Sequence, residues 1–376
     1  MPVFNSRSFR DHEQVVFCSD RVTGLKAIIA VHSTALGPAT GGTRFWDYGA
    51  IYKSVPVDVA ESRAEEDAVY DVLRLSRGMS YKNAMAGLRL GGGKSVIIGA
   101  PKTLGTDDLM RAFGRNVNRL GGNYYAAEDV GTSPAMLAAA SEATEYVCGL
   151  EGGEFGTGDP SPHTALGVFV GIKAAVRHRL NKTDLKGIRV AIQGLGHVGQ
   201  YLARHLLDAG ADLIVTDIVE DNINAVKAMG DVTVVKPEGI HAVDCDVFAP
   251  CALGGGLNRK TIPEIKATVI AGAANNQLER EGVEDEDLRR RGALYAPDYV
   301  INAGGIISVE SEVYKERLDE DARRAKVLRI GDTLSRIFEA SDRQERPTGI
   351  IANEMAEDII RSAGEAKLAA TPAAAE

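Results

Sequence analysis

Residues 188–199 read IRVAIQGLGHVG and constrain the fold more than any other stretch of the chain. An apolar run that reads as a buried strand enters Gly194-x-Gly196-x-x-Gly199, and QYLARHLLDAG continues as a helix. A glycine triplet of this spacing is weak evidence alone. Here a strand precedes it, a helix follows, and a second strand at 212–216 ends in Asp217, 21 residues beyond Gly196. Gly194 permits the tight turn, Gly196 lets the backbone approach a pyrophosphate, and Gly199 lets helix and strand pack closely. The helix N-terminus faces the phosphate charge. Asp217 can accept hydrogen bonds from both ribose hydroxyls and would repel a 2′-phosphate, and no arginine follows it immediately. The segment predicts a Rossmann-type dinucleotide site that takes NAD rather than NADP. The alternative is an ordinary glycine turn with a surface aspartate.

Strand and helix signals alternate on both sides of this motif. Two strand-like runs within 15–34 are split by Arg21-Val22-Thr23-Gly24, a hairpin signal. Ala68, Val69, Val72, Leu73 and Leu75 give 62–77 a helical period. SVIIG at 95–99 reads as a buried strand. Thr106 starts a helix whose apolar face is Leu109, Met110, Phe113 and Val117, ended by Gly121-Gly122. Residues 124–127 form a strand, and Ser133-Pro134 opens the next helix. Residues 151–162, EGGEFGTGDPSP, are dense in glycine and proline and mark a boundary. Further strands are expected at 188–193, 212–216, 246–249, 268–272 and 293–296. Helical sequence runs from about 309 to 342, and another helix follows the break at Arg346-Pro347-Thr348-Gly349 to about 363. With 376 residues there is chain for about two domains of ~150 residues each. The expectation is an α/β protein of two domains with a cleft between them. The N-terminal domain has a mostly parallel sheet, and the second is a Rossmann dinucleotide-binding domain.

GLRLGGGKSVI at 87–97 invites a different reading, because GGGKS resembles the end of a nucleotide-triphosphate P-loop. That loop needs a glycine five residues before its last glycine. Five before Gly93 is Leu88, and Gly87 is one place too far. The motif also runs into a strand, whereas a P-loop runs into a helix. Lys94 therefore has another task. A second lysine, Lys82, lies twelve residues earlier, and Asp129 sits between a strand and a helix, on the edge where α/β sheets place ligands. Two lysines near one aspartate suit chemistry on an anionic substrate. One lysine binds a carboxylate as a point charge, and the other acts as a base if desolvation and a nearby cation lower its pKa. A solvated surface lysine is the ordinary alternative. The glycines count against it, since three in a row permit close backbone approach to a ligand.

The net charge of −9 gives nucleic acid or an anionic membrane no general attraction, so neither is expected as a partner. No signal core or spanning segment is visible, and four scattered cysteines without C-x-x-C spacing suit a reducing cytoplasm. No metal site is expected from the histidine and cysteine spacing.

GPATGGTR (37–44), MSYKNAMAGLRLGGGKSVI (79–97), AAEDVGT (126–132), GDPSPHTALGV (158–168), FAPCALGG (248–255), AGAANNQL (271–278) and YAPDYVINAGG (295–305) together resemble the glutamate/leucine/phenylalanine/valine dehydrogenases, the leucine branch most closely. The resemblance covers about residues 12 to 363. It implies reversible NAD-dependent oxidative deamination of an L-amino acid to its 2-oxo acid and ammonium, by a homo-oligomer. By this resemblance Lys82 and the carboxamide of Asn276 hold the substrate carboxylate. Lys94 activates water for attack on the imino acid, and Asp129 moves protons to and from the amino nitrogen. Lys82 is the cation expected to help keep Lys94 neutral. Thr164 holds the nicotinamide carboxamide. Gly194, Gly196, His197, Val198, Gly199, Asp217, Cys251, Ala252, Asn276 and Asn302 complete the cofactor contacts. The implied domains are 1–147 for substrate binding and oligomerisation and 148–344 for NAD. A C-terminal helix at 345–366 packs back on the first domain, and 367–376 is a disordered tail.

Gly41, Gly42, Thr40, Met79, Ala127, Cys148, Ile306 and Val309 are the implied substrate pocket. A glutamate-specific pocket has a lysine at the position of Thr40 and a serine at that of Val309. Neither residue here can neutralise a γ-carboxylate, and burying that charge unpaired is very unfavourable. The leucine branch has leucine at the place of Thr40 and threonine at that of Cys148. The smaller Thr40 is expected to widen the pocket mouth. Leucine, valine or isoleucine is the expected substrate, and phenylalanine or another aromatic amino acid is the alternative. A non-catalytic NAD-binding sensor on the same fold would be expected to lack Lys94 or Asp129, and both are present.

Overall fold

The computed structural model describes residues 3–150, 152, 155–156, 158–252, 254–317 and 319–370. The first strands are β1 (Gln14–Asp20), β2 (Leu25–Ser33) and β3 (Ala39–Trp46). Next come α1 (Val57–Met85), β4 (Gly91–Ile98), α2 (Pro101–Leu104), α3 (Asp107–Asn118), β5 (Tyr124–Glu128) and α4 (Pro134–Ser141). The sheet order is β1-β2-β4-β3-β5. β2 is antiparallel to both its neighbours, and the remaining pairings are parallel, so β2 alone runs against the other four.

The sheet is covered on both faces, and β2 shows why. Ala27, Ile29 and Val31 enter one core with Leu109, Met110, Phe113 and Val117 of α3. Ile28 and Ala30 enter the opposite core with Ala68, Val69, Val72 and Leu73 of α1. The period-two alternation of a strand divides one apolar run between two layers. Each fully buried large side chain, such as Phe113, contributes ~1.5–3 kcal/mol. Thr106 caps α3 by accepting from the Leu109 amide (3.3 Å), and Ser133 caps α4 by accepting from Met136 (3.3 Å).

The three glycines 91–93 lie inside β4, not in a loop before it. A β-carbon on Gly92 would lie 2.0 Å from the Ser80 nitrogen of α1, and one on Gly93 would lie 2.6 Å from the Tyr124 ring. The bareness of Gly92 lets α1 rest directly on the strand, and that of Gly93 makes room for the Tyr124 ring. The close approach expected toward a substrate is here an approach of helix to sheet. It sets the helix of Lys82 against the strand of Lys94.

The second series comprises α5 (Ser161–Leu180), β6 (Arg189–Gln193), α6 (His197–Asp208), β7 (Asp212–Thr216), α7 (Glu220–Lys227), β8 (Val232–Val234), β9 (Val247–Pro250) and β10 (Val269–Ile270). It continues with α8 (Glu284–Arg290), β11 (Leu294–Tyr295), α9 (Asp298–Ile301), α10 (Gly304–Val313), α11 (Glu320–Gln344) and α12 (Thr348–Ala370). Its six strands are all parallel, in the order β11-β10-β9-β6-β7-β8, the doubly wound arrangement expected of the glycine motif. β8 was not anticipated. It is short, and two of its three residues are exposed.

The chain divides into two compact units, one of residues 1–158, 309–317 and 356–376, the other of 159–308 and 318–355. Residues 309–317, expected within the second domain, belong to the first unit. Their acidic side chains are tied there: Glu310 accepts from the Arg89 amide (2.8 Å) and Glu312 from the Gly149 amide (2.6 Å). The single long helix expected from 309 to 342 is two helices. Lys315 adopts φ +52°, and Asp319 caps α11 by accepting from Ala322 (2.6 Å). In the first unit Tyr81 also donates to Glu357, and Lys367 donates to the Thr34 carbonyl (3.2 Å). The expected tail starts at 367, yet α12 continues to Ala370, because Ala, Lys and Leu are strong helix formers. Residues 371–376 of that tail lie outside the described residues.

Asp285 of α8 is 2% exposed and accepts from the Gly349 amide at the start of α12 (2.9 Å). Burial pushes its pKa up to about 6. All four cysteines are free; Cys18, Cys148 and Cys245 are buried and Cys251 half-buried, and burial raises every thiol pKa. No helix among the described residues is long and apolar enough to cross a membrane.

Candidate active site

In the first unit the parallel strands β3, β4 and β5 bring Gly42, Lys94 and Asp129 together. Lys94 is 6% exposed, and its Nζ lies 2.8 Å from Oδ2 of Asp129. Asp129 opens a turn after β5, where its carbonyl accepts from the Thr132 amide (3.0 Å). A β-carbon on Gly42 would stand 2.7 Å from Cβ of Asp129 and 3.0 Å from Nζ of Lys94, so only glycine lets β3 lie this close against the pair.

Burial, opposed by the Asp129 carboxylate, pushes the Lys94 amine below the ordinary lysine value, and the Arg44 guanidinium adds to the depression. Burial raises the Asp129 carboxyl, but Lys94 and Arg44 outweigh it and hold the carboxyl below the usual carboxylate range. The result is a buried amine biased toward its neutral form beside a carboxylate that stays ionised. Such a pair can take a proton from water and return one to a nitrogen.

Arg44 is a residue that sequence reasoning missed. Its Nε lies 3.2 Å from the same Asp129 oxygen, and its Nη1 lies 2.6 Å from Asp71 of α1. Tyr48 donates to Asp71 (2.9 Å), and Arg74 lies 3.3 Å from it. The motif GPATGGTR contains Arg44, but nothing in its spacing pointed at Asp71, 27 residues on and on another element. Arg44 is thus a cation that lowers the Lys94 pKa, beside the Lys82 expected in that role.

Lys82 is half-buried in the last turn of α1, three residues beyond half-buried Met79 on the same helix. Met79 reaches within 3.3 Å of where a Gly41 β-carbon would stand. Ala127 is half-buried at the end of β5. Thr40 is fully buried, and Cys148 is 2% exposed with its thiol donating to the Ala126 carbonyl (3.6 Å). The expectation that Thr40 widens an open pocket mouth is not met, because Thr40 presents no surface there. Ile306 and Val309 are half-buried on α10, Ile306 in the second unit and Val309 in the first.

In the second unit the remaining residues gather at the carboxyl ends of the parallel strands. Gly194 ends β6 with φ +98°, a conformation that suits glycine, and its amide donates to the Thr216 carbonyl (2.9 Å). Gly196 is the N-cap of α6, with nothing within 4 Å of where a β-carbon would stand, and His197 and Val198 form the first turn. A β-carbon on Gly199 would lie 2.2 Å from the Gly194 carbonyl oxygen. Asp217 accepts from the Leu195 amide (2.5 Å) and from Val219 (2.8 Å), which binds the end of β7 to the glycine turn. Cys251 and Ala252 follow β9, and Asn276, at φ +51°, follows β10. Asn302 follows α9 and donates to Asn275 (2.8 Å), while its own buried carbonyl oxygen has no partner among the described residues. Thr164 sits in the first turn of α5, 3.0 Å from where a Gly305 β-carbon would stand. An open glycine turn at a helix N-terminus, a carboxylate at the next strand end and an unpaired buried carboxamide oxygen fit a dinucleotide.

The comparisons with known proteins agree with this construction. Residues 12–146 match the model of the Glu/Leu/Phe/Val dehydrogenase dimerisation domain, and 156–219 and 215–344 match that of the glutamate/leucine/phenylalanine/valine dehydrogenases. Leucine dehydrogenase from Geobacillus stearothermophilus is 46% identical over 369 residues, covering 98% of this chain and 95% of the relative. Valine dehydrogenase from Streptomyces virginiae is 46% identical over 360 residues, 94% of each. The crystal structure of L-tryptophan dehydrogenase from Nostoc punctiforme superposes with a TM-score of 0.80 at 45% identity, covering 94% of this chain and 96% of that one. With the lysine–aspartate pair and the glycine turn both in place, the chain belongs to the Glu/Leu/Phe/Val dehydrogenase family and is an amino-acid dehydrogenase.

Proposed function

We propose that this enzyme oxidatively deaminates a branched-chain L-amino acid, leucine, valine or isoleucine, with NAD⁺ as oxidant. The observation that carries the proposal is the buried Lys94–Asp129 pair, against which the bare Gly42 packs. NAD⁺ supplies the hydride acceptor. Gly194, Gly196, Gly199 and the first turn of α6 would hold its pyrophosphate, Asp217 its ribose, and Asn302 and Thr164 its nicotinamide end. The Asp217 carboxylate, already accepting two amides, would repel an added 2′-phosphate, which favours NAD over NADP.

Lys82, with Asn276, holds the substrate carboxylate. Asp129 takes the proton from the substrate ammonium group, so that the nitrogen lone pair can drive loss of hydride from Cα. Neutral Lys94 then takes a proton from water as it adds to the imino carbon. Asp129 returns a proton to the departing nitrogen, the hydroxyl proton passes to the released ammonia as the carbonyl forms, and the oxo acid and ammonium leave while Lys94 gives up its proton to solvent. A lysine of ordinary pKa would be protonated at neutral pH and useless as this base, so its desolvation is part of the mechanism.

Met79, Ala127 and Val309, the apolar residues of the expected pocket that lie in the first unit, support an apolar substrate. A pocket of this kind separates homologous side chains by only ~1–3 kcal/mol per methylene. Aromatic substrates form the second reading, favoured by the 45% identity to a tryptophan dehydrogenase. The first unit would also carry contacts between copies in a homo-oligomer, in line with the dimerisation domain it matches.

The test is reduced-cofactor formation at alkaline pH with NAD⁺ or NADP⁺ and, separately, leucine, isoleucine, valine, phenylalanine, tryptophan and glutamate. Branched-chain turnover with NAD⁺, lost in Lys94→Ala while NADH still binds, supports the reading. Preference for phenylalanine or tryptophan moves it to the aromatic alternative. Silence with all six, with NADH binding intact, rejects it in favour of a sensor.

A further inference from the structure

Beyond Lys94 and Asp129, a second charged layer runs through the first unit. One guanidinium spans two carboxylates: Arg44 Nε on Asp129 Oδ2 at 3.2 Å and Arg44 Nη1 on Asp71 Oδ2 at 2.6 Å. The three side chains come from β3, the turn after β5 and α1. Their side-chain exposures are 18%, 22% and 14%, so the pairs are largely screened from water. Both cations on Asp129 meet at one oxygen, Oδ2, which also takes Nζ of Lys94 at 2.8 Å. Asp71 is itself anchored by Tyr48 and Arg74. Behind Arg44 lies a cavity of about 360 Å³ lined by Arg44, Trp46, Tyr48, Asp67, Tyr70 and Asp71 with Val130.

We propose that Arg44, braced by Asp71, is a positioning residue that fixes the Asp129 carboxylate on Lys94 and holds the two in register for the reaction. The proposal rests on the reading of Lys94 and Asp129 as the proton-handling pair. A planar fork with donors on two sides is needed to span both carboxylates, and a lysine ammonium at this place would serve only one. An ion pair this shielded holds its geometry far better than a solvated one. It also keeps a permanent positive charge beside Lys94. The other charged and titratable groups facing Arg44, Asp71 and Asp129 include Lys94 on β4, Arg74 on α1, Tyr48 beyond β3 and Tyr124 on β5.

The experiment uses the full-length enzyme and whichever amino acid the wild type oxidises fastest. Arg44→Ala is expected to lower kcat about 100-fold, as for a catalytic group displaced by about 1 Å, with KM nearly unchanged. Without the guanidinium, Lys94 loses a charge that favours its neutral form. The rising limb of the kcat–pH profile therefore moves to higher pH. Asp71→Asn removes a carboxylate that favours protonated Lys94, so it lowers kcat without moving that limb upward. Because Arg44 borders an open cavity, millimolar guanidinium chloride should restore part of the Arg44→Ala activity in a saturable way, and sodium chloride at equal ionic strength should not. A merely structural arginine would give neither the limb shift nor the rescue.

Wild-type kcat and pH profile in Arg44→Ala overturn the proposal, as does a loss of activity with an unmoved limb and no rescue. If Arg44→Ala does not fold, Arg44→Gln, which removes the charge and keeps most of the side chain's bulk, decides on the same two readouts of kcat and limb position. Lys94→Ala, run alongside, separates the two levels. Turnover that survives Lys94→Ala removes the underlying mechanism. Turnover that dies there but persists unchanged in the Arg44 variants removes only the role of Arg44.

Discussion

Gly42→Ala is the sharpest single test of the site, because the insertion is one methyl group and its surroundings are known. The new β-carbon would lie 2.7 Å from Cβ of Asp129, 2.8 Å from the Glu128 carbonyl oxygen and 3.0 Å from Nζ of Lys94. Carbon atoms rest at about 3.5–4.0 Å, so Asp129 must retreat by about 1 Å or β3 must move. A displacement of that size at a catalytic group costs about 100-fold in rate. The accompanying overpacking costs about 1–3 kcal/mol of stability. Initial rates and thermal melts on the same preparation separate the two effects, since the rate loss should far exceed what partial unfolding explains. Gly331→Ala is the companion control. Its position in α11 has ordinary 3.5 Å contacts, and alanine there should add about 0.5–1 kcal/mol with kcat unchanged. Wild-type kcat in Gly42→Ala, with the fold intact, would refute the claim that Gly42 packs against the reacting groups.

Three further outcomes are expected. The folded pKa of Asp285, about 6, lies above its unfolded value, so the stability it contributes is present below about pH 4 and lost as pH rises through 6. A shift of about two units corresponds to about 3 kcal/mol in all, of which about 2 kcal/mol falls between about pH 4.5 and 7.5; denaturant melts of Asp285→Asn should lose that fall, and an unchanged fall rejects the assignment. Asp217→Asn should raise the KM for NAD⁺ and narrow its advantage over NADP⁺ by loss of the anion that repels a 2′-phosphate, measured by initial rates with each cofactor. Thr106→Ala removes the cap on α3 and should cost about 1 kcal/mol in a denaturant melt, with kcat unaffected.

The fold was legible where burial wrote it plainly. Parallel strands covered on both faces read as unbroken apolar runs, as at 190–192 and 247–250, and the glycine turn between β6 and α6 carries its own spacing. β3 was silent because ATGGTRFW places two glycines and an arginine where a strand usually shows branched residues. The break at Lys315 was silent because charged helical sequence continues on both sides of it. In the site, the closeness of Lys94 and Asp129 follows from the parallel pairing of β4, β3 and β5, a tertiary fact that no local pattern contains. Arg44 and Asp71 looked like ordinary surface charges for the same reason. Only the packing of α1 onto the sheet makes them partners.

The state of the cysteines has a practical consequence for labelling. Three thiols are buried, the fourth is half-buried, and all are held in the protonated form that reacts poorly with electrophiles. A maleimide dye should therefore leave the native enzyme nearly untouched. A cysteine placed at Val22, 96% exposed in the hairpin turn, would carry the probe selectively without first stripping the natural cysteines out. A fluorophore there would report on the first unit in an otherwise unaltered enzyme.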